Sequence, residues 1–277
     1  MGERLRVGAV QLHSPLSPAE CAVQCGEWIA AARKAALDLL VLPESASSRT
    51  DDPAETPVAE PLDGPFVQSL IAALDGSGLT VIAGITESAG DRPFNTVVVV
   101  DATGIRAVYR KLHLYDAAGM RESDAIRPGE HAPPVIDVGG FGVGVMTCYD
   151  IRFPETARAL ALQGADVLAV PTSWVRGPLK EAHWSTFCAA RALESTCFVI
   201  GAGQTGGTRI GCSMIVAPDG TTMASAGVEQ TLLVTEFDRA RVDAARTAFP
   251  LLAQRRFDLD LVPRPPELVT GVLRHDG

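Results

Sequence analysis

The sequence lacks the signatures that most readily assign a function. Six cysteines in 277 residues (Cys21, Cys25, Cys148, Cys188, Cys197 and Cys212) form no CxxC pair and are too sparse for a disulfide scaffold. The 5 histidines are scattered, with no two at metal-ligand spacing, so no metal is expected. No GxGxxG leads from a strand into a helix and there is no GxxxxGK[ST], which removes the usual support for a nucleotide; no cofactor is expected. The GxSxG elbow of serine hydrolases is missing too. Basic residues are outnumbered, 24 Lys+Arg against 33 Asp+Glu for a net charge of −9, so nucleic acid and anionic membranes are poor partners. No apolar run approaches the ~20 residues of a membrane span, and the first residues hold too short an apolar run for a signal peptide. The chain is therefore read as cytoplasmic. At 47% hydrophobic and 21% charged it is neither disordered nor a coiled coil.

What is present is an alternation of apolar strands and amphipathic helices. Leu5–Leu12 reads as a first strand. Ser17-Pro18-Ala19-Glu20 then supplies an N-cap, a Pro at the first helical position and a Glu in the first turn. Apolar positions 21, 25, 28, 29, 32 and 36 follow at helical spacing, which places Cys21 and Cys25 in a core stripe. Asp38–Pro43 has the continuous apolar character of a buried strand, and a helix over about 65–74 and a strand at Leu79–Ile85 follow. Val97–Asp101 and Ile105–Lys111 flank a turn and read as a hairpin, and a second hairpin-like region leads into Gly142–Thr147. Helices at about 154–163 and 180–194 alternate with strands at Val167–Val170 and Phe198–Gly201; Ser213–Ala217 and Thr231–Phe237 form a late antiparallel set. Cys188, Cys197 and Cys212 fall in apolar contexts and read as core thiols. No linker divides these units, so 1–277 reads as a single α/β domain of one mixed sheet or a pair of sheets, with 250–277 as a Pro- and Arg-rich extended tail.

Three reactive residues stand where apolar strands end: Glu44 after DLLVLP, Lys111 after IRAVYR and Cys148 after GVGVMT. Strand ends at one edge of a sheet are where α/β proteins gather catalytic groups from distant sequence positions. Each taken singly has a plain alternative: a solvated carboxylate, a surface lysine and a buried structural thiol.

Leu42-Pro43-Glu44, Tyr109-Arg110-Lys111-Leu112-His113-Leu114 and Cys148-Tyr149-Asp150-Ile151-Arg152-Phe153-Pro154-Glu155 resemble, in this order, the motifs of the nitrilase superfamily of carbon–nitrogen hydrolases. Phe94-Asn95-Thr96, Glu122-Ser123 with Pro128-Gly129, His183-Trp184 with Ala190–Glu194, Gln204-Thr205-Gly206 and Ala217–Gly220 extend the likeness from Val7 to about Asp238. The resemblance is closest to the Nit-like amidases, among them omega-amidases and deaminated glutathione amidases. It implies a four-layer αββα sandwich, a small-molecule amide substrate and a homodimer. It also implies a Glu44–Lys111–Cys148 triad: Cys148 as nucleophile through a thioester, Glu44 as base and acid, Lys111 with the Tyr149 N–H at the oxyanion. Glu122 matches the family's further glutamate, which holds the lysine.

Around this triad several assignments stay open. Alternation puts His113 on the same face as Lys111, so it is either a base, which would leave Glu44 without a role, or a hydrogen-bonding neighbour. Backbone groups near Ser173 and Trp174 would contact the scissile amide, with Trp174 otherwise a packing residue. Arg152 either holds a substrate carboxylate or pairs with Glu155 or Asp150. His183, with Arg176 and Lys180, lies in a stretch near the pocket mouth. An N-carbamoyl amino acid amidohydrolase is the runner-up, weakened by Ile at 151 where that branch carries an arginine; a nitrilase, a non-catalytic relative and an acyltransferase follow.

Overall fold

A computed structural model describes residues 3–50 and 57–258. The chain runs β1 (Arg4–Gln11), α1 (Pro18–Lys34), β2 (Leu39–Val41), α2 (Pro65–Leu74), β3 (Thr80–Glu87), β4 (Phe94–Asp101) and β5 (Gly104–Arg110) through its first half. The second half continues with β6 (Val135–Val138), β7 (Phe141–Val145), α3 (Pro154–Leu162), β8 (Val167–Thr172), α4 (Lys180–Ser195) and β9 (Phe198–Gly203). It closes with β10 (Met214–Val216), β11 (Thr222–Ser225), β12 (Thr231–Asp238) and α5 (Arg239–Ala248). Two six-stranded sheets result, ordered β12-β1-β2-β3-β4-β5 and β11-β10-β9-β8-β7-β6.

Side-chain alternation builds four layers from these strands. Successive residues of a strand point to opposite faces. Leu5, Val7 and Ala9 of β1, and Val167 and Ala169 of β8, enter one core between the sheets. Their neighbours Val10 and Leu12 meet α1 and α2 in a second core, and Leu168 and Val170 meet α3 and α4 in a third. Phe198 of one sheet stacks on Phe237 of the other with ring centroids 3.9 Å apart. The αββα sandwich implied by the sequence is the observed fold. Ser17 caps α1 by accepting from the Glu20 N–H, as its sequence requires.

The last third departs from expectation. β10 pairs with β11, while β12 crosses to the first sheet and runs antiparallel to β1, with Leu5 opposite Phe237. β11 and α5 carry too little apolar periodicity to be read from sequence: β11 has no buried residue and α5 buries only Val242. Cys188 and Cys197 are core thiols, but Cys212 is only half-buried, at a left-handed φ of 55° in the turn before β10. Of the expected tail, Pro250–Gln254 forms a turn closed by Ala253 and Gln254 N–H groups on the Pro250 carbonyl; residues 259–277 lie outside the described residues. No helix of the described residues is long and apolar enough to cross a membrane.

The parallel strands bring the ends of β2, β7 and β8 to one edge of the sandwich, with the end of β5 beside them. One glycine there is obligatory. A Cβ on Gly84 would stand 2.4 Å from the Glu44 Cα and 2.9 Å from the Pro43 carbonyl oxygen. β3 approaches so closely because Gly84 N–H donates to the Pro43 carbonyl at 3.0 Å and Ala46 N–H to the Gly84 carbonyl at 2.7 Å. Gly84→Ala is expected to cost about 1–3 kcal/mol in urea unfolding, the usual toll of overpacking; wild-type stability would contradict this approach.

Candidate active site

Glu44, Lys111 and Glu122 meet in one hydrogen-bonded cluster. Lys111 Nζ lies 3.0 Å from Glu44 Oε1, 2.9 Å from Glu122 Oε2 and 3.2 Å from Glu122 Oε1. Glu44 and Lys111 are 3% and 2% exposed, so the ion pair is sealed from water. The main chain fixes where the lysine starts: its N–H donates to the Asn95 carbonyl and its own carbonyl accepts from Gly129. That second bond explains the Pro128-Gly129 pair, since a Cβ on Gly129 would sit 2.1 Å from the Arg110 carbonyl oxygen.

One cation cannot neutralise two carboxylates, and neutral donors supply the rest. Asn95 Nδ2 donates to Glu44 Oε1 at 2.7 Å and to Glu122 Oε1 at 2.9 Å, bridging the acids. Ser173 N–H donates to Glu44 Oε2 at 2.7 Å, and Tyr115 N–H to Glu122 Oε2 at 2.6 Å. Asn95 and Tyr115 carried no assigned role in the sequence. Asn95 precedes Thr96, which pairs with Arg110 at the end of β5, so that it faces Lys111 just past that strand, a register that only sheet pairing reveals.

Cys148 opens a short 3-10 turn, Cys148–Arg152, three residues past the end of β7, with φ of 45° in the left-handed region. A non-glycine residue held there carries strain, which the surroundings must maintain. Burial first, and then the charge of Glu44, push its thiol up to about 12, against the opposing pull of Lys111. Burial alone would raise the Glu44 carboxyl as well. Lys111 and hydrogen bonds from Cys148, Asn95 and Lys111 outweigh it and hold Glu44 below its ordinary value. Lys111 is likewise opposed by burial, yet Glu122 and Glu44 raise it well above the usual lysine range. The resting arrangement is thus carboxylate, ammonium and neutral thiol.

The other expected residues separate into two groups. Tyr149 follows the thiol in the turn, its ring edge-on to Tyr115 at 5.0 Å. Arg152 pairs with neither Glu155 nor Asp150. Among the described residues it makes no ion pair, and its guanidinium rests 4.9 Å from the rings of Trp174 and Phe187. Trp174 is buried, with Nε1 donating to the Lys180 carbonyl, and forms the floor under Arg152. Lys180 itself lies over the same indole, 5.6 Å from its centroid, with Nζ 2.7 Å from the Tyr115 hydroxyl. Ser173 reaches the site through its N–H on Glu44, while its hydroxyl accepts from Arg209 Nε at 2.6 Å. His183 stands apart, near Phe187, its buried Nδ1 without a hydrogen-bond partner among the described residues. Gly201-Ala202-Gly203-Gln204-Thr205-Gly206 does have GxGxxG spacing, but it ends β9 and runs into a loop, not a helix.

Glu44's depressed pKa stabilises the fold above the ordinary carboxylate value of 4.5, and that contribution is lost as pH falls through the lower folded value. Lys111's raised pKa contributes fully below the ordinary 10.5 and is lost as pH rises through the folded value. Lys111→Met strips both acids of their cation, a change that typically costs about 3–5 kcal/mol. The deficit in Tm is expected to be larger at about pH 8 than at about pH 5, where the orphaned Glu44 regains a proton. A deficit independent of pH would contradict the ion-pair account.

Comparison with known proteins bears on the family and the fold. The sequence profile of the carbon-nitrogen hydrolase family matches residues 6–247. A deaminated glutathione amidase of Escherichia coli O157:H7 is 42% identical over 248 residues, covering 88% of this chain and 92% of the relative. The rat deaminated glutathione amidase is 35% identical, covering 91% of this chain and 83% of the relative. Among solved structures, an amidase of Nesterenkonia sp. AN1 superposes with a TM-score of 0.78 at 25% identity, covering 92% of this chain and 95% of its own. It is a Glu-to-Gln mutant, and its active-site cysteine carries the acetamide moiety of fluoroacetamide. The chain belongs to the carbon–nitrogen hydrolase family, and is an amidase-type enzyme of the nitrilase superfamily.

Proposed function

We propose that this enzyme hydrolyses a small linear amide bearing a carboxylate, through a thioester on Cys148. The observation that carries the reading is a buried carboxylate, Glu44, which is hydrogen-bonded to a buried ammonium and whose charge helps to hold the buried Cys148 thiol neutral. An amide carbon is a poor electrophile, so a thiolate is needed. With the thiol near 12 and Glu44 ionised, the proton moves from Cys148 to Glu44 as sulfur attacks the carbonyl, rather than beforehand.

The oxyanion that forms is met by the Lys111 ammonium and the Tyr149 N–H. One such donor is typically worth about 3 kcal/mol in the transition state. Glu44 then passes the proton to the departing nitrogen, which leaves as ammonia or amine, and the acyl group stays on sulfur. Water enters, Glu44 takes its proton, the hydroxide attacks the thioester, and the thiol recovers the proton as the acid leaves. Glu122 anchors Lys111; Asn95 and the Ser173 N–H keep Glu44 aimed and ionised. Arg152, a cation without a carboxylate partner beside the nucleophile's turn, binds the substrate carboxylate.

Release of ammonia or amine from a panel of alpha-ketoglutaramate, deaminated glutathione, succinamate, N-carbamoyl amino acids and an aliphatic nitrile tests the reaction. Deaminated glutathione is included because relatives bear its name. Turnover of an amide by the wild type and none by Cys148→Ala is expected. Equal activity in both would remove the thiol from the chemistry, and preference for a carbamoyl compound would move the substrate to the runner-up class.

Arg152→Ala is expected to raise KM for the carboxylate-bearing amide about 10–100-fold, the loss of a charge-assisted contact, with kcat held. Its KM for an uncharged amide such as propionamide should stay unchanged. An equal change for both amides would assign Arg152 to packing.

A further inference from the structure

Two residues past the nucleophile lies a fully buried carboxylate that takes no part in the proposed chemistry. Asp150 has no solvent exposure. Its Oδ2 accepts from the Tyr109 hydroxyl at 2.8 Å and from the Thr147 N–H at 3.0 Å. Its Oδ1 accepts from His113 twice, from the ring Nδ1 at 2.7 Å and from the backbone N–H at 3.3 Å. The Tyr109 oxygen in turn accepts from the Leu112 N–H at 3.3 Å. The His113 ring lies flat on Phe153, with centroids 3.7 Å apart and planes 11° apart.

The positions of these donors are the informative part. Tyr109, Leu112 and His113 bracket Lys111 on the edge of the first sheet. Thr147 precedes Cys148 and Phe153 closes its turn, both belonging to the second sheet. Capping of the 3-10 turn accounts for the Thr147 bond alone. The other three bonds reach across to the segment that carries the lysine. Lys111 and Cys148 follow strands of different sheets. Among the described residues the hydrogen bonds that tie the strained turn of the thiol to the Tyr109–His113 segment are those of Asp150, beside the ring contacts of His113 with Phe153 and of Tyr115 with Tyr149.

We infer that Asp150 is a positioning residue, a strut that sets the Lys111 ammonium against the Cys148 thiol across the two sheets, with Tyr109 and His113 as its arms. His113 is thereby a hydrogen-bonding partner of Asp150 and not the base. The inference builds on the amidase mechanism proposed for the same site, but thiol placement is measurable without an amide. A reacting group displaced by about 1 Å loses about 100-fold in rate, so a strut of this kind acts on the chemical step.

The test uses the full chain in three variants. Asp150→Asn keeps the size but turns one acceptor oxygen into a donor facing groups that already donate. Tyr109→Phe and His113→Phe each remove one arm while keeping the ring. Two rates are read: alkylation of Cys148 by iodoacetamide, located by mass spectrometry, and hydrolysis of succinamate, with Tm measured beside them. For Asp150→Asn, alkylation about 10-fold slower and kcat about 100-fold lower are expected, with KM within about twofold. Tyr109→Phe and His113→Phe should fall between it and the wild type in both assays while remaining folded. Alkylation at or above the wild-type rate in the folded arm variants would overturn the inference, as would losses that only track the fraction unfolded. If succinamate is not turned over, hydrolysis is read on whichever panel amide the wild type cleaves; failure with every amide counts against the proposed reaction, and the alkylation rates still decide on Asp150.

Discussion

A lysine ammonium with almost no access to water is the constraint around which the rest of the site is arranged. Burying an unpaired charge is costly enough that the group would rather lose its proton. Lys111 keeps its proton because two carboxylates lie against it, and they leave the cluster with a net charge of one cation minus two anions. That surplus negative charge has two effects. It recruits Asn95, Ser173 N–H and Tyr115 N–H as compensating dipoles, which rigidify the cluster. Through Glu44 it also works with burial to keep the Cys148 thiol protonated.

The cluster cannot exist in half of the molecule. Glu44, Asn95, Lys111 and Glu122 come from the first half of the chain, while Cys148 and Ser173 come from the second sheet. The Ser173–Glu44 bond and the Asp150 bonds cross between them. So does Gln204, whose Nε2 donates to the Ser14 hydroxyl and to the Glu44 carbonyl. These polar links stand at the edge of an apolar interface that the sheets form between their inner faces. Hydrophobic burial brings the sheets together without setting their register to a fraction of an ångström; the directional bonds at the edge do that. Site geometry and inter-sheet packing are therefore one requirement.

The order of strands and helices was legible because apolar periodicity and turn residues are local, and so was the family, because its motifs are contiguous. Glu44, Lys111 and Cys148 could be picked out as residues at strand ends. Asn95 could not, because its role depends on β4 lying beside the strand that ends in Lys111, a long-range pairing. The path of β12 into the first sheet was missed for the same reason: its own sequence does not reveal that β1, rather than the nearer β10, is its partner. β11 and α5 escaped notice because their stability comes from neighbours and caps, with Asp238 accepting from the Ala240 N–H, rather than from an apolar stripe of their own.

Arg152 shows how a local pattern can point the wrong way. Spacing alone offered Asp150, two residues earlier, as its partner. A 3-10 turn advances a third of a revolution per residue, so residues two apart leave it in different directions. Asp150 accordingly turns inward to Tyr109 and His113, and Arg152 turns outward over Trp174 and Phe187. With the acid taken, the guanidinium makes no ion pair among the described residues, and Lys180 adds a second cation over the same indole. In a protein of net charge −9, two cations thus stand over one indole while the Glu44–Lys111–Glu122 cluster is net negative. Under the proposed reaction, an amide that carries a carboxylate at its other end would be drawn to these cations by that carboxylate and would present its neutral end to Glu44 and Cys148. On that reading the polarity of the site would orient the molecule before any bond to it is made.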